Sequence, residues 1–126
     1  MRKKILLVDD NTELLELLKL NFKGAGFSIG TATDGIDALK KARNLKPDVI
    51  LLDLMLPELD GFAVCETLKR DPETEKIPVL MFSGLNSQLA RLAGLESGGT
   101  DFISKPLSPR LLIQKIEKLL ATTTAA

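Results

Sequence analysis

The stretch Val49-Ile50-Leu51-Leu52-Asp53-Leu54-Met55-Leu56-Pro57-Glu58-Leu59-Asp60-Gly61 decides how this chain folds. Its four leading apolar residues, preceded by Pro47-Asp48, are too few for a helix and read as a strand buried on both faces of a parallel sheet. Asp53 follows at once. A carboxylate where a buried strand opens into a loop is costly unless something pairs with it, and ligands of open α/β sheets gather at the carboxyl ends of strands. That makes Asp53 a candidate site residue. Pro57 and Asp60-Gly61 force a turn, which keeps the helix beginning near Phe62 away from Asp53 and leaves the carboxylate accessible.

Outward from this centre the chain alternates strand and helix. Residues 5–8 are an apolar run of strand length ending in Asp9-Asp10, and Asn11 or Asp10 can cap a helix with Leu14, Leu15, Leu18 and Phe22 on its apolar stripe. Gly24 and Gly26 stop that helix. Residues 27–32 form a second, less buried strand, Asp34-Gly35 turns the chain, and Ile36, Ala38, Leu39 and Ala42 mark a helix ending before Pro47. After the central strand, Phe62, Val64, Cys65 and Leu68 give the face of a third helix. Residues 77–82 are another buried strand, ending in Ser83-Gly84. The fourth helix takes its spacing from Leu85, Leu89, Leu92 and Leu95, weakened by Gly84, Gly94, Gly98 and Gly99. Residues 101–104 form a fifth strand, closed by Lys105-Pro106. Ser108 then caps a last helix with Pro109 at its first position, and Leu111, Leu112, Ile113, Ile116, Leu119 and Leu120 make it strongly apolar, with surface to spare for a partner. The domain spans residues 1–121, and residues 122–126 have nothing to bury and read as a frayed end or the start of a linker.

Five strands alternating with five helices imply an α/β fold, a doubly wound parallel sheet with helices on both faces. A length of 126 residues, 17 basic against 17 acidic side chains and 44% hydrophobic content suit one compact domain. The balanced charge gives no electrostatic case for nucleic acid or a membrane surface, and no apolar run spans a bilayer. A lone cysteine, Cys65, cannot form an internal disulfide and the basic start lacks a signal-peptide core, so a cytoplasmic setting is expected. Cys65 itself reads as core. The chain has no histidine, which removes the commonest general base and metal ligand; its chemistry rests on carboxylates, hydroxyls and lysines.

The polar residues that stand out lie at strand ends: Asp9 and Asp10, Asp53, Ser83 and Lys105. Their convergence carries the argument. Three carboxylates brought together repel unless a divalent cation neutralises them, and hard oxygen ligands without histidine or thiolate favour magnesium. Magnesium, a lysine and a hydroxyl together equip a site to hold a phosphoryl group.

On these residues the chain resembles the response-regulator receiver domains of two-component signalling, from Lys3 to about Leu120. Asp9-Asp10, Asp53 with Pro57 and Gly61, Ser83-Gly84 and Lys105-Pro106 match that family's motif in order and spacing, and the set is specific where any one member is not. The resemblance implies a flavodoxin-like sheet of strand order 2-1-3-4-5. It implies that Asp53 takes a phosphoryl group from the phosphohistidine of a sensor histidine kinase or phosphotransfer protein. Asp10, Asp53 and the Met55 backbone carbonyl would bind Mg2+ directly, with Asp9 acting mainly through water. Ser83 and Lys105 would contact phosphoryl oxygens, and Lys105-Pro106 would be a cis bond. Phe102 holds the aromatic switch position, expected to move inward when Ser83 is drawn to the phosphate. The fourth helix, fifth strand and fifth helix would carry the signal to an output domain, a partner protein or a second copy of the chain.

Departures from the commonest pattern are mild. Phe102 stands where tyrosine is frequent, Leu107 where phenylalanine is, and apolar Met55 and Leu85 cannot orient an attacking water, which implies a relatively long-lived phosphoryl state. Two other classes compete. A receiver-like module that binds partners without phosphorylation would be marked by loss of an acid, Ser83 or Lys105, and none is lost. A phosphohydrolase of the haloacid-dehalogenase type usually carries a second acid two residues past the nucleophile, where Met55 stands here, and no insertion supplies a substrate cap.

Overall fold

Strand and helix alternate as β1 (Lys4–Val8), α1 (Thr12–Gly24), β2 (Ser28–Ala32), α2 (Gly35–Leu45), β3 (Val49–Leu52), α3 (Gly61–Arg70), β4 (Val79–Ser83), α4 (Gln88–Glu96), β5 (Asp101–Ser104) and α5 (Pro109–Thr124). This computed structural model describes residues 2–84, 88–105 and 108–124. Every strand pairing is parallel and the sheet order is β2-β1-β3-β4-β5, the expected doubly wound arrangement. From β1 the chain winds first to one side and then back to the other. The order therefore reverses at β1, and the crevice beyond β1 and β3 is where such sheets bind ligands.

Strand alternation sends side chains to two separate cores. Leu6, Val8, Ile50, Leu52, Val79, Met81 and Phe102 pack with Ala38, Ala42, Val64, Cys65 and Leu68 of α2 and α3. Ile5, Leu7, Val49, Leu51, Leu80, Phe82 and Ile103 pack with Leu15, Leu18 and Phe22 of α1 and Leu112, Ile116 and Leu120 of α5. β3 is buried along its whole length, as a central parallel strand must be. β2 at the edge is only partly covered.

Helix starts are fixed by side-chain oxygens. Asn11, rather than Asp10, caps α1 by accepting from the Leu14 N–H at 3.1 Å. Asp34 and Asp60, expected as turn residues, are the caps of α2 and α3, accepting from Asp37 and Ala63. Ser108 Oγ accepts from the Leu111 N–H at 3.2 Å, as its place before Pro109 implied. α2 ends on Lys46 in the left-handed conformation (φ 46°), ahead of Pro47.

Several expectations need correction. β4 begins at Val79, because the Ile77 N–H closes a turn on Thr74 O and Pro78 has no N–H to give; the strand then includes Ser83. Ile36 is half exposed, since α2 buries Ala38 and Ala42 instead. In α4, Leu92 and Leu95 face outward (55% and 37% exposed), while Gly94 is buried, as is Ser97 just past the helix. The helix approaches the sheet on a small residue: a methyl added at Gly94 would stand 3.5 Å from Phe102 Cδ2 and 3.6 Å from Met81 Cγ. α5 continues to Thr124, past the boundary at 121 expected for the domain. Leu85, the Leu89 side chain, Pro106 and Leu107 lie outside the described residues, and the cis bond expected at Lys105-Pro106 with them. Among the described residues no helix is long and apolar enough to cross a membrane.

Candidate functional site

The register Val8↔Leu52 places the residues after β1 and β3 side by side, and the Asp53 N–H donates to Val8 O at 2.9 Å. Asp9, Asp10 and Asp53 thus meet in the crevice, each offering a carboxylate oxygen within 4.8 Å of the others'. Asp9 and Asp53 are buried (3% and 5% exposed), whereas Asp10 is exposed at the rim. The expected accessibility of Asp53 is therefore wrong. A lysine from the far strand covers it.

Lys105 arrives from β5, where its N–H donates to Ser83 O at 2.7 Å and extends the β4–β5 ladder by one residue. Its Nζ donates to Asp9 Oδ2 at 2.6 Å and lies 3.4 Å from Asp53 Oδ2. The remaining Asp9 oxygen accepts from the Asn11 N–H at 2.9 Å, and Asp53 Oδ1 accepts from the Met55 N–H at 3.1 Å. Both buried carboxylates are thus held at two points. Burial pushes the Asp53 carboxyl above its ordinary value and the Asp9 charge adds to this; the Met55 N–H and Lys105 pull the other way without cancelling it. Burial also works against the Lys105 charge, but its bonds to Asp9 and Asp53 outweigh it and leave the ammonium above its usual range.

The loop after Asp53 is shaped by backbone contact. Gly61 N–H donates to Leu54 O at 3.0 Å, and a Cβ at Gly61 would run into the Asp53 carbonyl. The left-handed residue of the loop is Glu58 (φ 65°), not Gly61. Met55 is exposed at the mouth. Ser83 is fully buried at the end of β4, and strand alternation turns it to the same face as Phe102 and away from the face of Lys105. The resemblance implies inward movement of Phe102 when Ser83 is drawn to the phosphate, and the sequence alone leaves open a core position throughout. Phe102 is already buried at 4% exposure, which suits a ring with no hydroxyl to keep wet, lying against Met81 and Gly94.

Asp9, Asp10, Asp53 and Lys105 are brought together as expected, while Ser83 joins them through its backbone carbonyl. Two contributors escaped the reading of the sequence. The sequence marks Asn11 only as a cap, yet its N–H also fixes Asp9. It marks Phe82 only as part of a buried strand, yet the Lys105 ammonium stands 5.2 Å from its ring centroid. The donor set suits magnesium: three carboxylates converge with neither histidine nor thiolate among them.

The response regulator receiver domain family matches residues 5–117. The alkaline phosphatase synthesis transcriptional regulatory protein PhoP of Bacillus subtilis is 40% identical over the whole of this chain and 52% of its own length. The DNA-binding dual master transcriptional regulator RpaA of Synechocystis is 39% identical over 95% of this chain and 50% of its own. The chain thus spans about half the length of these relatives. A putative response regulator from Chloroflexus aurantiacus superposes with a TM-score of 0.90 at 32% identity, covering 96% of this chain and 99% of that one. With a fold, a strand-end acid cluster and a sequence match that all agree, the chain belongs to the receiver domains of two-component response regulators.

Proposed function

We propose that this receiver takes a phosphoryl group on Asp53 in a magnesium-dependent reaction and relays that event through its α4–β5–α5 surface. The observation that carries the reading is the Lys105 ammonium bridging Asp9 and Asp53 beside Asp10, at the point where the sheet order reverses. Asp10, Asp53 and the Met55 carbonyl would hold the magnesium, with Asp9 acting through water. Bound there, the ion supplies positive charge against both the acids and the incoming phosphoryl oxygens.

An Asp53 carboxylate oxygen attacks phosphorus, the new O–P bond forms as the P–N bond to a kinase or phosphotransfer histidine breaks, and the imidazole leaves with a proton. The Met55 N–H holds the other Asp53 oxygen and so fixes the direction of attack. Lys105 exchanges a carboxylate partner for a phosphoryl oxygen, keeping its charge paired throughout. Ser83 would have to turn from the Phe102 face to give its hydroxyl to another phosphoryl oxygen, and Phe102 on that face feels the movement. Next to Phe102 stands Gly94, so the shift passes to α4. The surface that would change carries exposed Leu92, Leu95 and Leu111 and the Asp101–Lys115 pair at 3.2 Å. An output domain, a downstream protein or a second copy would read it, and the acid-lined site gives no footing for nucleic acid. Apolar Met55 at the mouth favours a long-lived acyl phosphate. Nothing in this reading calls for turnover of an external substrate, and it places the domain in the cytoplasm beside its kinase.

Intact mass after incubation with acetyl phosphate tests the reading. One phosphoryl group should be added to the parent only when magnesium is present, and none to Asp53→Asn. Addition without magnesium, or equal addition to the variant, would refute it. No addition from acetyl phosphate or from a cognate kinase would favour a receiver that binds partners without phosphorylation.

A further inference from the structure

We infer that Phe82 is a positioning residue for Lys105, its ring carrying the lysine side chain across β4 and holding the ammonium against Asp9 and Asp53. The inference rests on the role proposed above for Lys105. Strand alternation puts Leu80 and Phe82 of β4 on the face that also takes Ile103 and, one step beyond the strand, Lys105. Phe82 is in register with Ile103, so its ring lies beside the root of the lysine. The acids sit beyond β1 and β3, and in the order β1-β3-β4-β5 the Lys105 stem has to pass over β4 to reach them. What it passes over is Phe82.

The ammonium stands 5.2 Å from the ring centroid, inside the roughly 6 Å over which a cation is drawn to an aromatic face. The contact is largely desolvated, with Phe82 at 3% exposure and the Lys105 side chain at 22%. Desolvation strengthens such a contact. A lysine carries a compact charge on a flexible stem and has no planar fork to set its direction. Two carboxylates fix the far end of the stem, and the ring removes freedom along its length. An aliphatic residue at position 82 would fill the core between α1 and α5 but would offer the cation nothing.

The test compares the parent with Phe82→Leu and with a form carrying pentafluorophenylalanine at position 82, which keeps the ring's shape and reverses the charge on its face. Proton NMR reads the Lys105 ε-methylene without any phosphorylation. In the parent these protons should be displaced upfield by the ring current, and in both altered forms the displacement should be lost. The rate of Asp53 phosphorylation by acetyl phosphate at fixed magnesium should fall about twofold to fivefold in both. An ordinary ε-methylene shift in the parent overturns the inference, and so does a pentafluoro form that keeps the parent's shift and rate. If Phe82→Leu fails to fold, the pentafluoro form decides. A parent that accepts no phosphoryl group defeats the proposed function, and the NMR comparison still decides whether Phe82 places Lys105.

Discussion

Asp53 is a carboxylate whose burial outweighs the pull of Met55 N–H and Lys105 and favours its neutral form, and its chemistry follows from that. Burial first and Asp9 next raise its pKa above the ordinary 3.8. A raised folded-state pKa means the folded protein holds the proton more tightly than the unfolded chain. Ionising Asp53 therefore costs stability as pH climbs from 3.8 through the raised value, and the cost is absent below that window. In metal-free buffer Asp53→Asn should melt a few degrees above the parent at pH 7, with the gap closing as pH falls towards 3.8. A variant that melts lower at pH 7 would show that losing the Lys105 contact outweighs removing the charge. Cys65 offers a second check. Burial pushes its thiol up to about 11, so at pH 7 a disulfide reagent should leave the native protein unlabelled and react at once after denaturation. Rapid native labelling would contradict the buried placement. At this scale the convergence of the three acids with Lys105 was legible, because each sits where an apolar run stops. The burial of Asp53 was not, because the group that covers it comes from 52 residues further along the chain.

The elements differ in how they meet the sheet. α1 and α5 bury leucines, isoleucine and phenylalanine at helical spacing, and that spacing was readable. α4 is the exception: Leu92 and Leu95 point outward and Gly94 faces in, against Met81 and Phe102. Periodicity could not show this, since it counts apolar residues and is blind to the depth of the groove they would enter. A Cβ at Gly94 would meet its neighbours at 3.5 Å and beyond, which is ordinary contact. Gly94→Ala should therefore stabilise the protein by about 1 kcal/mol through helix propensity, seen as a higher urea midpoint. A lower midpoint would mean that α4 sits closer to Phe102 than described. Gly61→Ala should do the opposite. Its methyl meets the Asp53 carbonyl, which is backbone and cannot swing aside, so a loss of about 2 kcal/mol is expected. An unchanged midpoint would place the loop after β3 further from α3.

Over the whole molecule, three deeply buried central strands stand beside the edge that the proposed function makes the switch. β1, β3 and β4 are buried between two cores, whereas α4 packs chiefly on the edge strand β5. Amide hydrogen exchange should find the strongest protection in β1, β3 and β4 and the earliest exchange in α4; equal protection throughout would remove the mechanical basis for switching there. The alternation of strand and helix made the layered fold legible, and resemblance to receiver domains supplied the strand order. Neither could show that Phe102 lies inside, since its place depends on how closely α4 approaches. The central claim is that Asp53 is the residue modified. The most direct measurement is borohydride reduction after magnesium and acetyl phosphate treatment, followed by peptide mass spectrometry. The account predicts homoserine in place of aspartate at position 53 and aspartate retained at positions 9 and 10. Reduction at Asp9 or Asp10, with position 53 unaltered, would contradict it.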